Sequence, residues 1–238
     1  MVELELDEGV AVITIDRPHA RNAIAPVTMD ELDEALDKAA GARALVVRGA
    51  GERAFVSGGD LKELSALRTE EQAAAMAWRM RSICDRLASF PAPVIAALNG
   101  HALGGGAEFA VAADIRVAAD DIKIGFNQSA LAIMPAWGGA ERLAALVGKS
   151  RALLLAGSGA ILDVVEAQRL GLVDRVLPRA EFEDGWRALA RSLATPQAAE
   201  IKRVVGGVSA EEAVAAFARL WVADEHWAAA DAVLTRRG

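Results

Sequence analysis

Positive charge, cysteine and long apolar runs are all scarce in this sequence. Its 238 residues carry 33 acidic against 26 basic side chains, a net charge of -7 at neutral pH. Nucleic-acid binding needs a basic stripe that displaces counterions, so no nucleic-acid partner is expected. An anionic ligand would have to be met by local basic residues, because no global attractive field exists. The single cysteine, Cys84, excludes an internal disulfide and a cysteine-based zinc cluster. It falls at helical spacing with Met76, Met80, Ile83 and Leu87, where a buried and inert thiol is expected. No apolar run reaches the length of a membrane span, and the first residues show neither a basic start nor an apolar signal core. These absences predict a cytoplasmic chain with no membrane partner.

What is present is the composition of a folded chain, 53% hydrophobic and 25% charged, long enough to bury a substantial core. "VELELDEGVAVITIDRP" alternates on both sides of Asp7-Glu8-Gly9 and reads as a β-hairpin that ends before Pro18. Thr28 and Glu31 have capping-box spacing, and Leu32, Leu36 and Ala39 follow at helical spacing to a stop at Gly41. "RALVVRGA" from Arg43 reads as a strand covered on both faces. "GERAFVSGGD" then reads as a loop, and a second capping box at Thr69 and Gln72 opens a long helix ending near Phe90-Pro91. "PVIAALNG" from Pro93 is another buried strand, while Ile115 with Val117 and Ile122 with Ile124 mark two more. Asp163 and Glu166 cap a helix that stops at Gly171. From Phe182 the chain reads as helical to its end, with Ser209 and Glu212 capping one segment. Strand, strand, helix repeated and then helices alone predict an α/β fold with a helical C-terminal part and no linker.

Two stretches share a design that suits chemistry. "SGGD" from Ser57 and "GGGAE" from Gly104 each follow a buried strand through a glycine-rich turn. Backbone N–H groups exposed in such turns can converge on one oxygen and stabilise a developing negative charge, although tight turns alone would also explain the glycines. Glu108, entering a run of small apolar residues, requires either a partner or a raised pKa. His101 lies beside the glycines, where it could meet a substrate or satisfy a turn backbone. His19 and His226 lack the spacing of metal ligands, so no metal site is expected. "VGKS" at Val147 to Ser150 fails as a phosphate loop because Leu143 stands where the first glycine belongs.

The segments "RPHARNAI", "AFVSGGDLKEL", "NGHALGGGAEFAVAADIRVA", "IMPAWGGAERLAALVGKSRALLLAG" and "EAQRLGLVDRVL", in this order, resemble the crotonase superfamily, the enoyl-CoA hydratase and isomerase family, over nearly the whole chain. The resemblance implies a crotonase-like spiral of ββα units over residues 1–181 and a helical trimerisation region over 182–238. A homotrimer or a dimer of trimers would follow, as would a role in fatty acid metabolism. It implies an acyl-CoA substrate, no cofactor beyond the coenzyme A of that substrate, and an enolate held by the N–H groups of Gly59 and Gly105. Coenzyme A and substrate would lie along Ala20, Arg21, Ala23, Ser57, Asp60, Leu61, Gly104, Leu131 and Trp137. Arg21 is a plausible phosphate partner, with a solvated surface arginine as the plain alternative. Trp137 would line the acyl pocket, or simply pack.

Glu108 matches the first catalytic glutamate of the hydratases. Aligning back from Pro135 puts Gln128 where the second belongs, and a glutamine can orient water but cannot act as a base. Ala136 stands where some members place an aspartate. "GGGAEF" with "IMPAWGG" is more similar to the ethylmalonyl-CoA and methylmalonyl-CoA decarboxylase branch, in which loss of carbon dioxide from a malonyl-type thioester yields the enolate without a base. Decarboxylation is therefore the expectation within the family. The alternatives are hydration or isomerisation of an enoyl-CoA by Glu108 alone, or acyl-CoA binding without turnover.

Overall fold

The alternating N-terminus forms the expected hairpin: β1 (Val2–Asp7) and β2 (Val10–Ile15) pair antiparallel from Val2↔Ile15 to Asp7↔Val10. Glu8 and Gly9 both take positive φ, at 49° and 88°, the backbone that a two-residue hairpin turn needs to match strand twist. The structure is a computed structural model that describes residues 1–235. The last three residues of the predicted 182–238 region lie outside the described residues.

After α1 (Pro26–Lys38), the chain winds so that each passage gives one strand to each of two sheets. β3 (Ala44–Gly49) is followed by β4 (Ala54–Val56), with α2 (Leu61–Leu64) and α3 (Glu70–Ala88) closing the unit. β5 (Val94–Leu98) and β6 (His101–Leu103) lead into α4 (Gly105–Ala110). β7 (Ile115–Ala119) and β8 (Lys123–Gly125) precede α5 (Gly139–Val147) and α6 (Lys149–Ser158). β9 (Ile161–Asp163), α7 (Val164–Arg169) and β10 (Arg175–Leu177) complete the two sheets. The larger has the order β1-β2-β3-β5-β7-β10 and the smaller β4-β6-β8-β9. All pairings are parallel except β1 with β2 and β8 with β9. The result is the mixed α/β fold expected from the strand, strand, helix pattern. It ends in α8 (Arg179–Leu193), α9 (Pro196–Val205), α10 (Ala210–Trp221) and α11 (Asp224–Thr235).

The continuous apolar strands are buried because helices or the second sheet cover both faces: every residue of β5 is inaccessible. α3 starts at its capping box, where Thr69 Oγ1 accepts the Gln72 N–H and Gln72 Oε1 accepts the Thr69 N–H. Met80, Ile83, Cys84 and Leu87 of that helix are buried, as the stripe required, and burial pushes the Cys84 thiol well up. α1 departs from the sequence reading. It begins at Pro26, so Thr28 is its third residue and accepts the Ala25 N–H instead of capping from outside. Proline supplied the boundary, since its missing N–H costs nothing in the first turn.

Four three-residue strands, β4, β6, β9 and β10, lie where the sequence shows loop or turn. Three residues cannot display alternation, and such strands exist through their neighbours, not their own propensity. α8 likewise starts at Arg179, three residues ahead of the expected helical tail. Two buried amides fix the loop between β3 and β4. Asn22 Nδ2 donates to the carbonyls of Ala50 and Ala54, and Asn99 Nδ2 to that of Gly51, while Asn99 Oδ1 accepts the Gly49 N–H. These bonds hold the approach to the first glycine turn in place.

Candidate active site

Because β4 and β6 are parallel neighbours, the turns that leave their C-terminal ends are brought side by side. Gly58 has φ +100°, and a Cβ on it would stand 3.3 Å from the Gly105 nitrogen, so the two turns are in contact. A Cβ on Gly106 would overlap the Val56 carbonyl, which explains a glycine at a helical position. Gly59 is bracketed by two backbone bonds to one residue: Ile24 N–H donates to the Gly58 carbonyl, and Asp60 N–H to the Ile24 carbonyl, both at 2.8 Å. The N–H groups of Gly59 and Gly105 have no acceptor among the described residues. Two such donors, adjacent and unsatisfied, can bind one oxygen.

Glu108 lies on α4, 2% exposed. Its Oε1 accepts from Gln128 Nε2 at 2.9 Å, and its Oε2 accepts the N–H groups of Trp137 at 2.7 Å and Gly139 at 3.0 Å. Burial raises the carboxyl pKa above the usual range, and the three donors oppose that shift without cancelling it. Gln128 sits in the 3₁₀ turn Asn127–Leu131 with 6% exposure. Its amide nitrogen is taken by Glu108, while its buried Oε1 has no donor among the described residues. An acceptor left bare beside a carboxylate is costly unless a further donor enters.

Trp137 links the parts. Its N–H holds Glu108, and its indole lies where a Cβ on Gly105 would overlap the ring and a Cβ on Gly59 would approach it to 3.9 Å. The ring is thus packed, and it is packed against both glycine turns. A Cβ on Gly139 would overlap the Glu108 side chain, so that glycine both donates and makes room. The structure therefore gathers Gly59, Gly104, Gly105, Glu108, Gln128 and Trp137.

The residues expected along the coenzyme A path divide. Ser57 Oγ donates to the Ala20 carbonyl at 3.5 Å, and Ala23 is buried. Asp60 caps α2, its Oδ1 accepting the N–H groups of Lys62 and Glu63, while its Oδ2 accepts from Arg17 at 3.0 Å. Arg21, Leu61 and Leu131 are exposed, and their side chains make no hydrogen bond to the gathered group. His101 is exposed, and its Nδ1 accepts the Lys123 N–H, which is the turn-satisfying alternative. The sequence reading missed Arg17 and Gly139. For Gly139 a signal existed: the pair Gly138-Gly139 opens a helix, where N–H groups are free. Among the described residues, no group of three or more His, Cys, Asp or Glu is arranged to hold a metal ion, and no helix is long and apolar enough to cross a membrane.

Residues 5–218 match the enoyl-CoA hydratase/isomerase family. A probable enoyl-CoA hydratase of Bacillus subtilis is 41% identical over 197 residues, 81% of this chain and 76% of that protein. The short-chain-enoyl-CoA hydratase of Clostridium acetobutylicum is 35% identical over 204 residues, covering 84% and 78%. The crystal structure of a putative enoyl-CoA hydratase/isomerase from Mycobacterium abscessus superposes with a TM-score of 0.90 at 30% identity, over 99% of this chain and 97% of that one. None of these three carries a decarboxylase name. The chain belongs to the enoyl-CoA hydratase/isomerase family.

Proposed function

We propose that this member of the enoyl-CoA hydratase/isomerase family adds water across the double bond of an enoyl-CoA thioester, with one carboxylate carrying every proton. The observation behind this reading is the buried pair Glu108 and Gln128, whose Oε1 atoms each keep acceptor capacity, set beside two unsatisfied glycine N–H groups. In the proposal the thioester oxygen takes the N–H groups of Gly59 and Gly105, whose grip tightens as the oxygen becomes an enolate; such donors contribute about 3–4 kcal/mol each. Gln128 Oε1 accepts one hydrogen of a water and Glu108 Oε1 the other. The water oxygen bonds to C3, its proton passes to Glu108, and Glu108 returns it to C2 of the enolate. The raised pKa suits a group that must both take and give a proton.

Decarboxylation of a malonyl-type acyl-CoA is the second reading, favoured by the neutral Gln128 where a second carboxylate would assist hydration. There the C–C bond electrons enter the same enolate, and a neutral Glu108 protonates it. The proposal also includes no cofactor beyond coenzyme A, a cytoplasmic setting, and a homotrimer or dimer of trimers built through residues 182–238. Support for the assembly comes from Val205, Phe217 and Val222, large apolar side chains that α9, α10 and the residue after α10 leave exposed.

Mass spectrometry of the protein incubated separately with crotonyl-CoA, methylmalonyl-CoA and ethylmalonyl-CoA tests the choice. Hydration predicts a mass gain of one water on crotonyl-CoA alone. Loss of carbon dioxide from the malonyl-type esters with crotonyl-CoA untouched would replace it with the second reading. Tight binding of every ester with no product would make the chain a binding protein.

A further inference from the structure

We propose that Arg17 is a positioning residue for the reaction, holding the Gly59 N–H in its binding direction through a three-way clamp on both flanks of the first glycine turn. This inference rests on the reading of Gly59 as an oxyanion donor. Arg17 lies two residues beyond β2 and is 8% exposed, an expensive place for a charge unless its donors are used. Nη1 donates to the Ala23 carbonyl at 2.5 Å, and Nη2 to Asp60 Oδ2 at 3.0 Å and Glu63 Oε1 at 2.8 Å.

What those partners have in common is their place around Gly59. Ala23 precedes Ile24, the residue whose N–H and carbonyl bracket Gly59 from one side. Asp60 follows Gly59, and its other oxygen caps α2, which also carries Glu63. The guanidinium thus fixes the strand-like segment on which the turn leans and the helix into which it runs. Gly58, at φ +100°, and Gly59 have no side chains to anchor the turn themselves, so its orientation is set by these flanks. A planar guanidinium holds its donors in a fixed fork, so its acceptors are kept at set directions from one another, whereas a lysine's ammonium rotates on a flexible stem. The clamp also gives Asp60 a task other than contact with coenzyme A: both its oxygens are engaged within the protein.

An oxyanion donor displaced by a fraction of an ångström loses transition-state binding more than ground-state binding. The test pairs kinetics with a spectroscopic readout that a purely structural role would leave alone. Wild type, Arg17→Met and Asp60→Asn are each assayed with crotonyl-CoA, and each is titrated with a conjugated 2,4-dienoyl-CoA whose absorption moves to longer wavelength when its carbonyl is polarised. Asn at position 60 keeps a capping oxygen while removing the charge, so that variant stays informative if Arg17→Met does not fold.

The clamp predicts that Arg17→Met lowers kcat about tenfold or more with KM little changed, and that the red shift shrinks in proportion. Asp60→Asn is expected to move both in the same direction by less. Variants that keep the full red shift, whatever their kcat, overturn the role of Arg17 while leaving the oxyanion reading intact. A raised KM with kcat and red shift unchanged would assign the clamp to coenzyme A binding and overturn it too. A wild-type protein that binds the dienoyl-CoA without any red shift would overturn the oxyanion reading, and this inference with it.

Discussion

At the scale of the residue, the decisive group is Glu108. A carboxylate behind three glycines and inside an apolar run stands out in the sequence, because burial of such a group demands an explanation. Its partners do not. Gln128, Trp137 and Gly139 come from 20 to 31 residues further along, and sequence spacing does not show which backbone N–H will point at which oxygen. Alignment singles out Gln128 as a missing glutamate, whereas the structure adds that its amide is bound to Glu108 and its carbonyl oxygen is left bare. The raised pKa of Glu108 has a consequence for stability. The folded protein holds the proton to higher pH than the unfolded chain does, so the stabilisation is complete below the ordinary carboxylate pKa and is lost as pH rises through the folded value. Urea unfolding at a series of pH values should show wild type losing stability relative to Glu108→Gln across that window. Parallel curves for the two proteins would mean that Glu108 is not buried as described.

At the scale of the element, the long helices and the buried strands are legible, as is the short β8 from Ile122 and Ile124, while the other three-residue strands are not. α3 is marked at both ends, by Thr69 with Gln72 and by Phe90-Pro91, and β5 by its unbroken apolar run. β4 and β6 are three residues each, yet they matter most, because their parallel pairing sets the two glycine turns beside each other. That pairing depends on close approach of α4 to β4 at Gly106. Gly106→Ala would drive a methyl group into the Val56 carbonyl, and a loss of about 1–3 kcal/mol or outright failure to fold is expected. Gly41→Ala, with open space around the position, should change stability by less than about 0.5 kcal/mol. Equal thermal denaturation midpoints for the two variants would contradict the described packing of α4 on β4.

At the scale of the whole molecule, motif segments spread from Arg17 to Leu177 made the family legible, since each marks a turn or packing point of one winding. Assembly is harder to read, because an apolar helix face looks the same whether it packs within the chain or against another. Phe217 on α10 is 61% exposed and Val222 just beyond it 72%. The trimer proposal predicts that Phe217→Glu lowers the sedimenting mass of the protein toward that of a monomer. An unaltered mass would remove that face from the interface. The account as a whole stands on Glu108 carrying the protons, and the most direct test is steady-state turnover of crotonyl-CoA by Glu108→Gln. A fall in kcat of about 100-fold or more with KM little changed is the predicted result. Turnover equal to wild type would contradict the account.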